Sequence, residues 1–197
     1  MYTLINGSFK TQKSNSRTFL EYISKYLNNY QIYDLKNDSY NNIIDNIDKS
    51  DTIILAFPLY VDSPNAPTIQ FLNYLIDYNI NLVNKNIYVV INCGFREGIN
   101  NVIAANIIKN WCVKVGAIYC GSILIGAGEI VGKTRYKLIC TKALKQLKHF
   151  SISIKNKQKT NDIITTMDLL NNYIYCKLAN KSWKKQMKNN LIYKHEK

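Results

Sequence analysis

Five apolar runs, at residues 2–5, 30–35, 52–57, 87–92 and 117–125, are each followed by a segment whose apolar residues recur at helical spacing. The third run, Thr52-Ile53-Ile54-Leu55-Ala56-Phe57, is nearly uninterrupted, which suits a strand covered on both faces. Phe19, Leu20, Ile23 and Leu27 mark the helix after the first run. Further helices are expected over 40–49, from Ile69 to Ile76, over 100–115 with Gly116 closing it, and over 134–148. Strand and helix units repeated in this way join through right-handed crossovers. The pattern therefore predicts an α/β fold, a doubly wound, five-stranded parallel sheet with helices on both faces.

In such a sheet a ligand sits outside the carboxyl ends of the strands, near the reversal of strand order. Three loops fall on that edge. The first runs from Asn6-Gly7-Ser8 through Lys10 and Lys13 to Ser14-Asn15-Ser16, where a helix starts. A helix start presents unpaired backbone N–H groups and the positive end of the dipole. The hydroxyls of Ser8, Ser14 and Ser16 and the amide of Asn15 add short donors, and Lys10 and Lys13 add charge. Gly7 lets the chain leave the strand with no Cβ in the way. A phosphate fits these residues, and so does an ordinary polar turn with a good N-cap. The second loop, residues 58–67, is held partly extended by Pro58, Pro64 and Pro67. The third begins Asn92-Cys93-Gly94-Phe95-Arg96-Glu97-Gly98.

Together these pieces resemble the flavodoxin-like, FMN-dependent NAD(P)H oxidoreductases of the flavin reductase and quinone reductase type, over residues 1–148. The resemblance implies that Ser8, Ser14, Asn15 and Ser16, with Lys10 nearby, hold the FMN phosphate. It implies that Pro58, Leu59, Tyr60 and Val61 line the isoalloxazine, and that Asn92, Gly94 and Phe95 close its other edge. The implied reaction passes a hydride from NADH or NADPH through flavin N5 to a quinone, a nitro or azo compound or free flavin. No proton-transferring side chain is required, because the cofactor carries the chemistry. A non-enzymatic electron carrier and a cofactor-free basic interaction protein are the alternatives on the same fold. Each residue also has a plainer reading. Tyr60 covers a core edge, Gly94 and Gly98 serve turns, Cys93 is a packed thiol, and Arg96 either faces solvent or meets nucleotide phosphates. Gly126-Ala127-Gly128 lacks the longer dinucleotide fingerprint and follows the fifth strand, so it is expected at most to border the cleft.

Composition narrows the rest. The net charge of +13 is spread along the chain, with lysines throughout and arginines only at Arg17, Arg96 and Arg135, which argues against a nucleic-acid docking stripe. Five cysteines without a C-x-x-C pair read as reduced thiols, and His149 and His195 have no metal-ligand or triad spacing. With no leader and no long apolar run, a soluble, cytoplasmic protein that binds neither membrane nor nucleic acid is expected. Residues 1–150 are expected to form the flavin-binding domain. Residues 151–197 then supply a polar linker (151–160), a helix over 163–183 and a frayed basic tail from Lys184. Packing of that helix on the domain or on a partner in a homodimer would bury its apolar stripe.

Overall fold

The computed structural model of the chain describes residues 1–10, 14–131, 141–166 and 172–195. In chain order its elements are β1 (Tyr2–Asn6), α1 (Asn15–Ser24), β2 (Tyr30–Asp34), α2 (Tyr40–Lys49), β3 (Thr52–Tyr60), β4 (Ser63–Pro64), α3 (Ala66–Asp77), β5 (Asn86–Asn92), α4 (Val102–Val115), β6 (Ile118–Ile125), α5 (Gly128–Val131), α6 (Thr141–Lys155), β7 (Ile163–Thr165) and α7 (Asn172–His195). The strands lie in the order β2-β1-β3-β5-β6-β7, all parallel, and β4 pairs antiparallel with β3. Setting the short β4 aside, the first five strands have the 2-1-3-4-5 order of a flavodoxin-like sheet, with its switch point between β1 and β3. Met1–Thr166 forms one compact unit and Met167–Lys197 a second, of which α7 is the described element.

The apolar runs behave as their composition requires. Residues 52–57 of β3 and 87–92 of β5 are buried throughout, because helices cover both faces of the sheet. Ile5, Ile53, Leu55, Phe57, Ile87, Val89 and Ile91 share one core with Ile43 and Ile47 of α2, Phe71, Leu72 and Leu75 of α3, and Ala104, Ala105 and Ile108 of α4. The alternate strand residues face the other way, where Tyr88 meets Phe150 of α6 edge to face at 5.9 Å and α6 packs beside α1. Helix ends are closed by side chains placed for it. Ser14 and Ser39 accept the backbone N–H of Arg17 and Asn42, and Gly116 ends α4 in the left-handed conformation at φ +70°. Lys85 donates from Nζ to the carbonyls of Ile47 (2.8 Å) and Ser50 (2.7 Å), a cation on the carbonyls at the end of α2.

Several expectations need correction. The sheet has a sixth parallel strand, because Ile163-Ile164-Thr165 pairs with Ile123-Leu124-Ile125 instead of starting a helix. Its three residues are too few to show an alternation, and Ile163 and Ile164 happened to continue a helical spacing that reaches Met167 and Leu170, which lie outside the described residues. The polar stretch 151–160 is not a linker. Ile154 is fully buried, so α6 runs on to Lys155, and the chain then returns past β5 and β6, where Tyr88 Oη donates to Gln158 O (2.9 Å) and Thr160 N to Cys120 O (2.8 Å). The residues expected as a frayed tail continue α7 to His195. Residues 134–140 of the expected sixth helix lie outside the described residues. The loop expected over 58–67 is largely a hairpin: β3 continues through Pro58 to Tyr60, turns at Val61 (φ +49°) and Asp62 (φ +57°), and returns as β4. Two central residues with positive φ are the geometry of a type I′ turn, which Asn-Gly suits and a β-branched residue does not. The double substitution Val61→Asn with Asp62→Gly is predicted to raise stability by about 1 kcal/mol, measured by urea denaturation. An unchanged or lower midpoint would show that the turn is not held in this form.

Candidate functional site

Asn6 ends β1 and organises the loop that follows. Its Oδ1 accepts the Ser8 N–H at 3.1 Å and the Ser14 hydroxyl at 3.4 Å, while its Nδ2 donates to Asp34 Oδ1 at 2.5 Å. Asp34 also receives Arg17 Nη1 at 2.7 Å, so the carboxylate nearest this loop is balanced within the protein. The loop is pinned from below at Gly7, whose N–H donates to Ala56 O at 2.8 Å. A Cβ on Gly7 would collide with Thr68 Oγ1 and press on Phe57 Cβ at 3.1 Å, which is why glycine stands there.

Side chains from the other two loops reach into this one. Asn65, just ahead of α3, donates from Nδ2 to Gly7 O at 2.6 Å and is itself oriented by Thr68 Oγ1 at 2.7 Å. Asn92, at the end of β5, donates to Ser16 Oγ in α1 at 2.8 Å and to Phe57 O in β3 at 3.1 Å. The ends of β1, β3 and β5 and the start of α1 are thus joined by two buried carboxamides. The third loop is held in turn from β6. Ala127 N donates to Phe95 O at 2.6 Å and Gly128 N to Cys93 O at 2.9 Å, and a Cβ on Gly128 would stand 2.9 Å from Asn92 Cβ. The Gly126-Ala127-Gly128 segment is therefore a close backbone contact behind the third loop.

The predicted residues divide into two groups. Ser8, Ser14, Ser16 and Asn92 are buried polar groups in the lattice just described, Asn15 is half-buried at the start of α1, and Leu59 is buried. Ser14 caps α1, and the first turn of that helix carries no acidic residue. The N–H groups of Asn15 and Ser16 precede the first bond of the helix ladder, so an anion at this end would meet backbone donors and the positive end of the dipole. Lys10, Tyr60, Val61, Gly94 and Phe95 are exposed and Pro58 is half-buried. A Cβ on Gly94 would meet nothing within 4 Å, which leaves room in front of the third loop. Tyr60 is 50% and Phe95 57% exposed, so each of these two loops offers an aromatic face. Lys13 lies outside the described residues.

Two further residues of the third loop have defined partners. Cys93 is buried, with its thiol pushed up by loss of solvent, and it points at the carbonyls of Phe95, Glu97 and Ile125, so it is a packed thiol. Arg96 is paired with Glu97 through Nε (2.8 Å) and Nη2 (2.7 Å). Asn6, Asn65, Thr68 and the Arg17–Asp34 pair were not singled out from sequence. Only the Asn-Gly at the end of the first run hinted at the first of them.

No protein-family model and no curated protein matches the chain. Solved structures do. The FMN-dependent NADH-azoreductase of Bacillus anthracis str. Ames Ancestor, solved in complex with FMN, aligns over 79% of this chain and 99% of its own at 11% identity, with a TM-score of 0.59. The NAD(P)H:quinone oxidoreductase of Methanothermobacter marburgensis aligns over 80% and 96% at 15% identity, TM-score 0.59. The Streptococcus pneumonia TIGR4 flavodoxin aligns over 80% and 99% at 15% identity, TM-score 0.58. At these identities the likeness is one of fold, and the chain has a flavodoxin-like fold.

The Asn92 bridge has a direct consequence. In a double-mutant cycle of Asn92→Ala with Ser16→Ala, the coupling energy is predicted at about 1 kcal/mol by urea denaturation, and additive losses would mean that the bridge carries no energy.

Proposed function

We propose that the chain is an FMN-dependent NAD(P)H oxidoreductase. The observation that supports this most is the joining of three loops by Asn65 and Asn92 at the switch point. It sets an acid-free helix start, ringed by buried hydroxyls, beside two exposed aromatic side chains. In this reading Ser8, Ser14, Asn15 and Ser16 hold the phosphate through hydroxyl, carboxamide and backbone donors, with Lys10 adding a point charge at longer range. Pro58, Leu59, Tyr60 and Val61 supply apolar cover on one side of the ring system, and Asn92, Gly94 and Phe95 border the other. FMN bound there supplies the hydride chemistry between NADH or NADPH and a quinone, nitro or azo compound, or free flavin. The chain's own task is to hold, orient and partly shield that ring, which is consistent with the lack of a catalytic acid or base among the predicted site residues. Arg17 stays with Asp34 and keeps that carboxylate from repelling the phosphate.

A cytoplasmic homodimer belongs to the same proposal. Among the described residues no helix is long and apolar enough to cross a membrane. Ile99 in the 3-10 turn just before α4, and Ile103 and Ile107 within it, recur every fourth residue, are 55%, 56% and 39% exposed, and lie in an uncharged stretch of a strongly basic chain. Such a ridge lets two like-charged copies approach and pack by interdigitation.

The flavin reading predicts that protein stripped of cofactor binds FMN saturably. Ser14→Ala is predicted to weaken FMN binding by roughly tenfold, a loss near 1.4 kcal/mol, measured by flavin fluorescence quenching. The loaded protein is expected to consume NADH or NADPH with menadione as acceptor. Failure to bind FMN would remove the whole reading, whereas binding without turnover with either nucleotide would favour the electron carrier. For the dimer, sedimentation equilibrium of wild type should give twice the chain mass, and Ile103→Lys should return it to one chain. A wild-type monomer would overturn that clause alone.

A further inference from the structure

Four lysines of α7 fall on one line of the helix. This helix of 24 residues holds Lys177, Lys181, Lys184, Lys185, Lys188 and Lys194 and no Asp or Glu. Lys177, Lys181, Lys184 and Lys188 follow one another at intervals of four, three and four. At 3.6 residues per turn that spacing keeps them within about 60° of one line, along about 16 Å of helix. Like charges at such spacings repel and weaken a helix. A row of them with no carboxylate in the helix is a surface whose complement is an anion carrying several charges in sequence.

Aromatic side chains accompany the row. Tyr173 stands one turn ahead of Lys177, is 74% exposed, and has Lys177 Nζ 6.0 Å from its ring centre. Met187 is 62% exposed on the flank of the row, and Trp183, 58% exposed, stands about 130° round the helix from its centre. We propose that α7 binds single-stranded nucleic acid, the lysine row following the phosphates while Tyr173 and Trp183 offer ring faces to unstacked bases. Lysines for a backbone and solvent-facing rings for bases are the two parts that sequence-tolerant single-strand binding uses. A duplex has its bases already stacked and gives the rings no partner. An anionic membrane surface requires a continuous apolar face opposite the charges, and in the sequence of α7 Asn172, Asn180, Ser182, Gln186, Asn189 and Asn190 interrupt the apolar residues along the whole helix.

The test uses the full chain. Trp111 and Trp183 are its two tryptophans, and Trp111 is half-buried with Nε1 donating to Leu72 O at 3.3 Å, so Trp111→Phe leaves Trp183 as the reporter. Oligothymidylate and oligouridylate are titrated in, alongside duplex DNA and phosphatidylserine vesicles, with Trp183 emission and oligonucleotide anisotropy as readouts. Both single strands, or one of them, should bind saturably and quench Trp183. The affinity should fall on the order of fifty-fold between about 50 and 200 mM salt, a slope near −3 for four neutralised phosphates. A preference for the uridylate identifies RNA as the natural strand, and a preference for the thymidylate identifies DNA. Replacing Lys177, Lys181, Lys184 and Lys188 together by Gln, or in a second variant by Glu, should weaken binding by at least about tenfold and flatten the salt dependence. Trp183→Ala and Tyr173→Ala, followed by anisotropy, should each cost roughly five-fold or more and leave the slope unchanged. The lysine variants should still bind FMN as wild type does, which separates this proposal from the flavin reading. No binding to either strand, equal binding to duplex without quenching, binding to vesicles only, or lysine variants that bind like wild type would each overturn it.

Discussion

The buried carboxamide of Asn92 holds the carboxyl edge of the sheet together. One donor goes to α1 and the other to the end of β3, so a side chain from the third loop fixes the distance between the first two. Buried amides are costly to leave unpaired, and that cost turns a turn region into a rigid one. Asn65 does the same from the far side of β3, and between them the edge is assembled before any ligand arrives. Preassembly matters because a loop that is already ordered spends none of its binding energy on ordering.

Electrostatics at this edge follows from the same arrangement. Asp34 closes β2 beside the loop and would repel an anion were it alone. Its two oxygens are instead taken by Asn6 and Arg17, both belonging to the β1–α1 unit. Arg17 is therefore an internal counterion, which leaves backbone N–H groups, the helix dipole and the loop lysine as the groups that the proposed phosphate site would use. Such groups act at short range and with direction, whereas the wide positive field of the chain acts at long range and is screened by salt.

Much of this was legible in the sequence. The runs at 52–57 and 87–92 gave two central strands because only a doubly covered sheet tolerates such apolar stretches, and Ser14 marked its helix start by chemistry that acts within three residues. What was not legible depends on partners far along the chain. Thr165 becomes strand only because β6 offers an edge, and Ser151 stays helical because Ile154 is buried beneath the sheet. The candidate site was readable as a set of loops, but its glue was not. Nothing local to Asn65 or Asn92 distinguishes a loop-bridging amide from one facing water. The lysines of α7 show the same limit: the sequence shows a basic segment, and four of its lysines share a line only once the helix is wound.

The late strand β7 has a consequence for synthesis. It pairs with β6 from forty residues further on, Ile163 against Ile123 and Thr165 against Ile125. While the chain is being made, β6 lies at the margin of the growing sheet with its outer main-chain groups uncovered, and it is among the most apolar segments of the protein. Release from the ribosome before residue 165 has emerged and docked would leave that margin open to another nascent chain. The three residues of β7 serve as the seal on a sheet that is otherwise finished.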